Sequence, residues 1–145
     1  MATPIQIVFD TADPAGQARF WAAALAYVLQ PPPPGFDSWE ACLREQGVPE
    51  ERLNDWAAIV DPGGAGPRVY FQRVPEGKTA KNRVHLDLNV SGGPGPTLAE
   101  RKRRIDAEVA RLKALGATDE RGALEIEGEY WVRMNDPEGN EFCVQ

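Results

Sequence analysis

Two stretches far apart in this chain carry one pattern, and that repetition constrains the fold more than any other feature. Trp56-Ala57-Ala58-Ile59-Val60-Asp61-Pro62 runs an apolar strand into Asp-Pro and a glycine-containing turn. Trp131-Val132-Arg133-Met134-Asn135-Asp136-Pro137 does the same. Proline favours the second position of a type I turn and glycine suits its end. Each turn leads into a second short strand, at 68–72 and 141–145. Each half of the chain therefore contains a hairpin, and a repeat of this kind decides the architecture before any single motif does.

Upstream of each hairpin the pattern predicts a strand and then a helix. In the first half, 6–10 reads as a strand. Asp13-Pro14 supplies an N-cap and a first-turn proline, and Phe20, Trp21, Ala24 and Leu25 share one helical face. In the second half, His85-Leu86-Asp87-Leu88-Asn89-Val90 alternates strictly, as a half-buried strand does. Thr97-Leu98-Ala99-Glu100 is a capping box. Leu98, Ile105, Val109 and Leu112 follow at helical spacing, and Gly116 ends the helix.

Residues 31–55 break the symmetry. Pro31 to Pro34 is stiff and extended, and Asp37-x-x-Glu40 reads as a second capping box opening a short helix through Trp39, Cys42 and Leu43. The expected organisation is one domain over 1–145. Module one covers 1–75 with an insertion at 31–55, module two covers 83–145, and a Lys/Gly-rich segment at 74–82 joins them.

Composition narrows the function. The chain has 145 residues, 42% hydrophobic and 26% charged, which is globular. A net charge of -6 without a basic patch set among aromatics argues against nucleic-acid binding. Two cysteines, Cys42 and Cys143, make neither a disulfide framework nor a thiolate zinc site. No apolar run nears the roughly 18 residues of a membrane span, and no leader pattern opens the chain. The expectation is a cytoplasmic protein with no membrane or nucleic-acid partner. Phosphate-loop, dinucleotide, zinc-protease and nucleophile-elbow motifs are missing from the sequence. Gly63-Gly64-Ala65-Gly66 lies in a strand-to-strand turn and opens no helix.

Alternation says which side chains share a face. Gln6, Val8 and Asp10 oppose Ile7 and Phe9. His85, Asp87 and Asn89 oppose Leu86, Leu88 and Val90. Tyr70 and Gln72, and likewise Cys143 and Gln145, lie on the polar side of their strands. The face away from the helices is thus polar on four strands, which fits either a wetted sheet face or a lined cavity. His85 is the one histidine, open to a structural or a functional role as ligand, hydrogen-bond donor or general base. Trp56, Tyr70 and Trp131 read as core or as an aromatic wall. Arg133, on the Trp131 side of its strand, reads as a surface ion pair or as a partner for an anion. Cys143 reads as a buried structural thiol. Glu125, Glu127 and Glu129 read as a solvated edge, and Arg101-Lys102-Arg103-Arg104 as the solvent side of a helix.

Two βαβββ modules, the Asp-Pro entry to a Phe-Trp helix, and Asp136-Pro137-Glu138-Gly139-Asn140-Glu141-Phe142 together resemble the vicinal oxygen chelate superfamily. The narrower likeness is to its glyoxalase-like, bleomycin-resistance-like branch. The resemblance implies an α+β glyoxalase/bleomycin resistance/dioxygenase fold, a cupped, mostly antiparallel sheet with helices outside and a ligand cavity within. Metal-using members place His, Gln or Glu on the first and last strands of each module. Carried over, those positions fall on Gln6, Tyr70, His85 and Cys143. A thiol where Glu is usual suits no common site of this type, and hard cations want carboxylates there.

The expected function is therefore small-molecule binding of the bleomycin-resistance-like kind. An organic ligand would sit in the cup among Gln6, Tyr70, His85, Trp131, Arg133 and Cys143, with the usual metal site degenerate. No cofactor is expected; a divalent metal, if held, would rest on His85, Gln6 and Tyr70. The alternative is a divalent-metal-dependent lyase, isomerase or dioxygenase, with His85 the best catalytic candidate. The acidic net charge weakly favours a cationic or neutral ligand, and the resemblance implies a homodimer.

Overall fold

The first unit, Met1–Gly77, opens with strand β1 (Gln6–Thr11) and helix α1 (Pro14–Leu25). Strand β2 (Val28–Leu29), helix α2 (Trp39–Glu45), strand β3 (Trp56–Val60) and strand β4 (Arg68–Arg73) complete it. This computed structural model describes residues 1–145, the side chain of residue 120 excepted. Helix α1 starts where a proline removes a backbone donor that would have no partner. The Asp13 carboxylate accepts from the Gly16 N–H at 3.2 Å. Asn54, in the segment after α2, adds a second cap: it accepts from the Ala15 N–H and donates to Asp13, both at 2.9 Å. The sheet order is β1-β4-β3-β2, with β1 parallel to β4 and the other pairs antiparallel. Phe9, Trp21 and Phe71 fill its helix side, with ring centroids 5.2 and 5.4 Å apart.

The second unit, Lys78–Gln145, repeats that plan. Strand β5 (Asp87–Leu88) precedes helix α3 (Leu98–Ala114), and strands β6 (Thr118–Ile126), β7 (Glu129–Asn135) and β8 (Glu141–Val144) follow. The order is β5-β8-β7-β6, again with first and last strands parallel. Thr97 and Glu100 form a reciprocal capping box on α3. Gly116 takes a positive φ of 112° just past the helix end, where a side chain would be strained. Ile105, Val109 and Leu112 of α3 are buried, as are Val132, Met134, Phe142 and Val144 on the helix side of β7 and β8. The mixed α+β architecture is as the repeat implied.

Three expectations need correction. Helix α2 is capped by Ser38, which accepts from the Ala41 N–H at 3.1 Å, and not by Asp37. The alternating run at 85–90 yields only two residues of regular strand, because β5 pairs on one side alone. Backbone bonds from Cys143 and Gln145 to the Leu86 and Leu88 carbonyls still fix its faces. The acidic stretch is exposed, as expected of a solvated edge: Glu125 lies near the end of the edge strand β6, Glu129 begins β7, and a tight turn through Glu127 and Gly128 joins them. The basic turn of α3 does not all face water. Arg101 pairs with Glu129 at 3.3 Å and Lys102 pairs with Glu125, tying helix to hairpin.

Candidate functional site

The second unit contains a cavity of about 400 Å³ on the sheet face away from α3. Alternation builds it. Along β7, Val132 and Met134 are buried, which turns Trp131 and Arg133 the other way. Along β8, Phe142 and Val144 are buried, which turns out Cys143. Leu88 is buried beside them, so His85 and Asp87 point into the same space. The registers set Cys143 opposite Arg133 on one side and opposite Asp87 on the other.

Segment 78–82 supplies one more wall. Glu141 accepts from the Asn82 N–H at 2.9 Å and pairs with Lys78 at 3.1 Å, and Asn82 bonds Asn140 at 3.3 Å. That clamp brings Lys81 to the cavity. Burial alone would push the Glu141 carboxyl up; the Asn82 N–H and the Lys78 ammonium outweigh it and hold it below the usual range.

The charges around the cavity divide into paired and unpaired. Glu129 is engaged by Arg101 and Glu141 by Lys78. His85 Nε2 lies 3.4 Å from Asp87 Oδ1, with both side chains about two-fifths exposed. The side chains of Arg133 and Lys81 make no hydrogen bond or ion pair with any described residue. Cys143 sits among them, a free thiol. Burial pushes the thiol up, and the Asp87 charge, with the hydrogen bond the thiol gives it, pushes further. Arg133 and Lys81 pull the other way without prevailing. A thiol held protonated is a poor nucleophile, but Cys143 is half-buried on the cavity wall and is not the buried structural thiol expected, because alternation along β8 turns it away from the core.

The structure thus brings His85, Trp131, Arg133 and Cys143 to one cavity. Gln6 and Tyr70 belong to the first unit, in a local network of their own. Arg68 donates to Gln6 and to Gln30, each at 2.6 Å, and lies 5.0 Å above the Tyr70 ring. Burial raises the Tyr70 phenol above its ordinary value despite Arg68. Trp56, also in the first unit, sits beneath Arg52 at 5.3 Å. Sequence reasoning left out Lys81, whose place depends on a clamp between distant residues. Asp87 is placed on the His85 face by alternation but given no role there, although the His-x-Asp spacing on one strand is the available signal.

Comparison with solved structures shows the fold. The chain is similar to the genomically encoded fosfomycin resistance protein FosX from Listeria monocytogenes, with 11% identity over 100% of this chain and 91% of that one, TM-score 0.62. It is similar to a glyoxalase/bleomycin resistance protein/dioxygenase family enzyme from Burkholderia phytofirmans, with 15% identity over 96% and 94%, TM-score 0.60. A possible glyoxalase from Bacillus cereus gives 14% identity over 100% and 99%, TM-score 0.60. At these identities the likeness is one of fold. No curated protein matches the chain in sequence. The family model described as a glyoxalase-like domain matches residues 6–145. The chain belongs to that glyoxalase-like family, within the vicinal oxygen chelate superfamily. Among the described residues no helix is long and apolar enough to cross a membrane.

The superfamily implies a divalent metal, and some relatives hold one: a variant of the Listeria protein was solved complexed with Mn(II). The four carried-over positions do not fit a hard ion of that kind. The Gln6 carbonyl oxygen is engaged by Arg68, the Tyr70 phenol is held protonated, and Cys143 offers sulfur where such ions want a carboxylate.

Proposed function

We propose that this protein binds a small organic ligand in the cavity of its second unit, a planar part resting on Trp131 and an anionic group on Arg133. The observation that carries the reading is the half-buried Arg133 guanidinium on the cavity wall, without a hydrogen-bond or ion-pair partner among the described residues. A guanidinium presents donors in a fixed fork that matches carboxylate or phosphonate oxygens. A half-buried guanidinium that faces a cavity gains from an anion there, since a charge drawn partly out of water is best held when paired. The local field departs from the acidic net charge: with Glu129 and Glu141 neutralised by their own partners, Arg133 and Lys81 outnumber Asp87. The phosphonic acid held by the variant of the Listeria protein is an anion as well. A thermal-shift screen of a charge-diverse aromatic library tests the proposal, since ligands that bind the folded state stabilise it. Anionic members are expected to dominate the stabilisers of the wild type and to lose their effect on Arg133→Gln.

The second reading is a divalent-metal-dependent lyase, isomerase or dioxygenase. It is favoured by His85 standing at a family ligand position and opposed by the poor fit of the other three. Turnover that disappears on chelation and returns with metal would establish it. A single glyoxalase-like domain, a homodimer and a cytoplasmic location complete the proposal; sedimentation of the purified chain checks the dimer.

A further inference from the structure

Lys81 reaches the cavity wall from a segment outside every strand and helix, and the chain holds it there. Its two neighbours are both anchored. The Lys78 ammonium donates to the Ala80 carbonyl, and the Asn82 N–H donates to Glu141 at 2.9 Å. The Lys78 and Glu141 side chains that close this clamp are only 23% and 18% exposed, so the pair is screened less than a surface ion pair. The Lys81 ammonium takes no part: it makes no hydrogen bond or ion pair with any described residue. We propose that Lys81 is a specificity-determining residue, and that the ligand class is a planar frame with two acid groups on neighbouring positions, one for Arg133 and one for Lys81. The inference rests on the ligand reading above and deepens it.

The strand registers give the order of the groups. Arg133 stands opposite Cys143, and Asn135 stands opposite Glu141. Trp131 lies two residues before Arg133, on the side away from Asn135. Same-face positions on a strand are about 6.6 Å apart. The clamp ties the Lys81 segment to the Glu141 end of β8. The order along the sheet is therefore Trp131, Arg133, Lys81, with both cations on one side of the indole. A frame that rests on Trp131 and places an acid on Arg133 meets Lys81 through a second acid beside the first. An acid at the opposite end of the frame points away from Lys81.

Charge agrees. Two cations without partners match two carboxylates. Asp87 stands apart from them, on the β5 side of Cys143 and 3.4 Å from His85 Nε2. Arg133 and Lys81 both pull on the Cys143 thiol, so both charges act on the same stretch of cavity floor. Their chemistry divides the work. The guanidinium fork fixes where the first acid sits, while an ammonium on a flexible stem follows the second. The competing account is a solvated Lys81, with the clamp only closing the cavity wall.

Calorimetry on the full chain separates the two, with 2-naphthoate, 2,3-naphthalenedicarboxylate and 2,6-naphthalenedicarboxylate as probes. The expected result is that the 2,3-diacid binds at least fivefold tighter than 2-naphthoate, and the 2,6-diacid no tighter than 2-naphthoate. Lys81→Gln is expected to cut the affinity ratio of the 2,3-diacid to 2-naphthoate at least threefold. Lys81 is exposed, so this variant keeps the fold. A 2,3-diacid no tighter than 2-naphthoate, a 2,6-diacid as tight as the 2,3-diacid, or a ratio indifferent to Lys81→Gln would overturn the inference. The two failures are distinct. Binding of 2-naphthoate with no preference for the adjacent diacid overturns this inference and leaves the ligand reading standing, whereas no binding of any of the three overturns both.

Discussion

Asp136 organises the turn that sets β7 against β8, and its removal gives a worked expectation. Its side chain accepts from the Glu138 N–H and the Asn140 N–H at 2.9 Å each, and from the Asn140 amide at 2.9 and 3.1 Å. The residue is only 2% exposed. A hydrogen bond to a charged group contributes about 1.5–3 kcal/mol, and a buried donor left without a partner adds its own cost. The bonds share one carboxylate and do not add fully, so Asp136→Ala is expected to cost about 3 kcal/mol. Set against a total of roughly 5–15 kcal/mol, that is a large fraction. At about 2–4 °C per kcal/mol for a chain of this size, the midpoint falls by roughly 6–12 °C. The assay is urea and thermal unfolding beside Asp61→Ala. Asp61 holds the matching turn of the first unit by the Gly63, Ala65 and Gly66 N–H groups, but in a more open setting. Its removal is expected to cost less. A loss under about 1 kcal/mol for Asp136→Ala, or equal losses for the two variants, would refute the reasoning. The same turn holds Arg133 opposite Cys143, so Asp136→Ala is also expected to weaken ligand binding.

Three further outcomes follow. Asp13→Ala removes the cap of α1 and the bond from Asn54, and about 1 kcal/mol of stability should go with it, read by urea unfolding. The Asp13 carboxyl is held below its ordinary value, first by the Asn54 bond and then by the Gly16 N–H. The stability it contributes is full above the unfolded carboxylate range near pH 4 and is lost as pH falls through the lower folded value, so wild type and Asp13→Ala should converge in acid. The three tyrosine phenols are all raised. Burial leads in each, and Tyr130, which donates to Asp106 at 2.6 Å, is pushed up to about 12. Raised groups stabilise the fold fully below the unfolded value near 10 and lose that contribution as pH climbs through the folded one. Phenolate absorbance should therefore rise later in native than in urea-unfolded protein. Met134, fully buried on the helix side of β7, should cost about 2–5 kcal/mol on change to Ala, by the same unfolding assay.

Much of this was legible because local chemistry decided it. Asp13-Pro14, Thr97 with Glu100, and Gly116 mark helix ends by satisfying backbone groups within a turn, and the structure uses all of them. The paired Asp-Pro turns are read from the carboxylate and the turn residues alone. Alternation assigned the faces of β7 and β8 because one face of each is buried. What failed or went unseen depends on tertiary partners. Ser38 and Asp37 are both good caps, and only the chain path selects between them. The second cap from Asn54, the Lys78–Glu141 clamp that delivers Lys81, and the pairs joining Arg101 and Lys102 to the β6–β7 hairpin all link residues distant in sequence. Asp87 is opposed to Cys143 only because β5 and β8 run parallel, a pairing no local pattern announces.

The central claim is that the cavity beside Trp131 and Arg133 receives an anion carried on a planar frame. Its most direct test is calorimetry with three compounds of one ring system and different charge: 2-naphthoate, 2-naphthamide and 2-naphthylmethylammonium. The account predicts saturable binding at one site per chain, tightest for the carboxylate. Trp131→Ala should weaken all three, and Arg133→Gln should cost the carboxylate tenfold or more while leaving the amide unchanged. Equal or tighter binding of the ammonium compound, or a carboxylate affinity indifferent to Arg133→Gln, would contradict it.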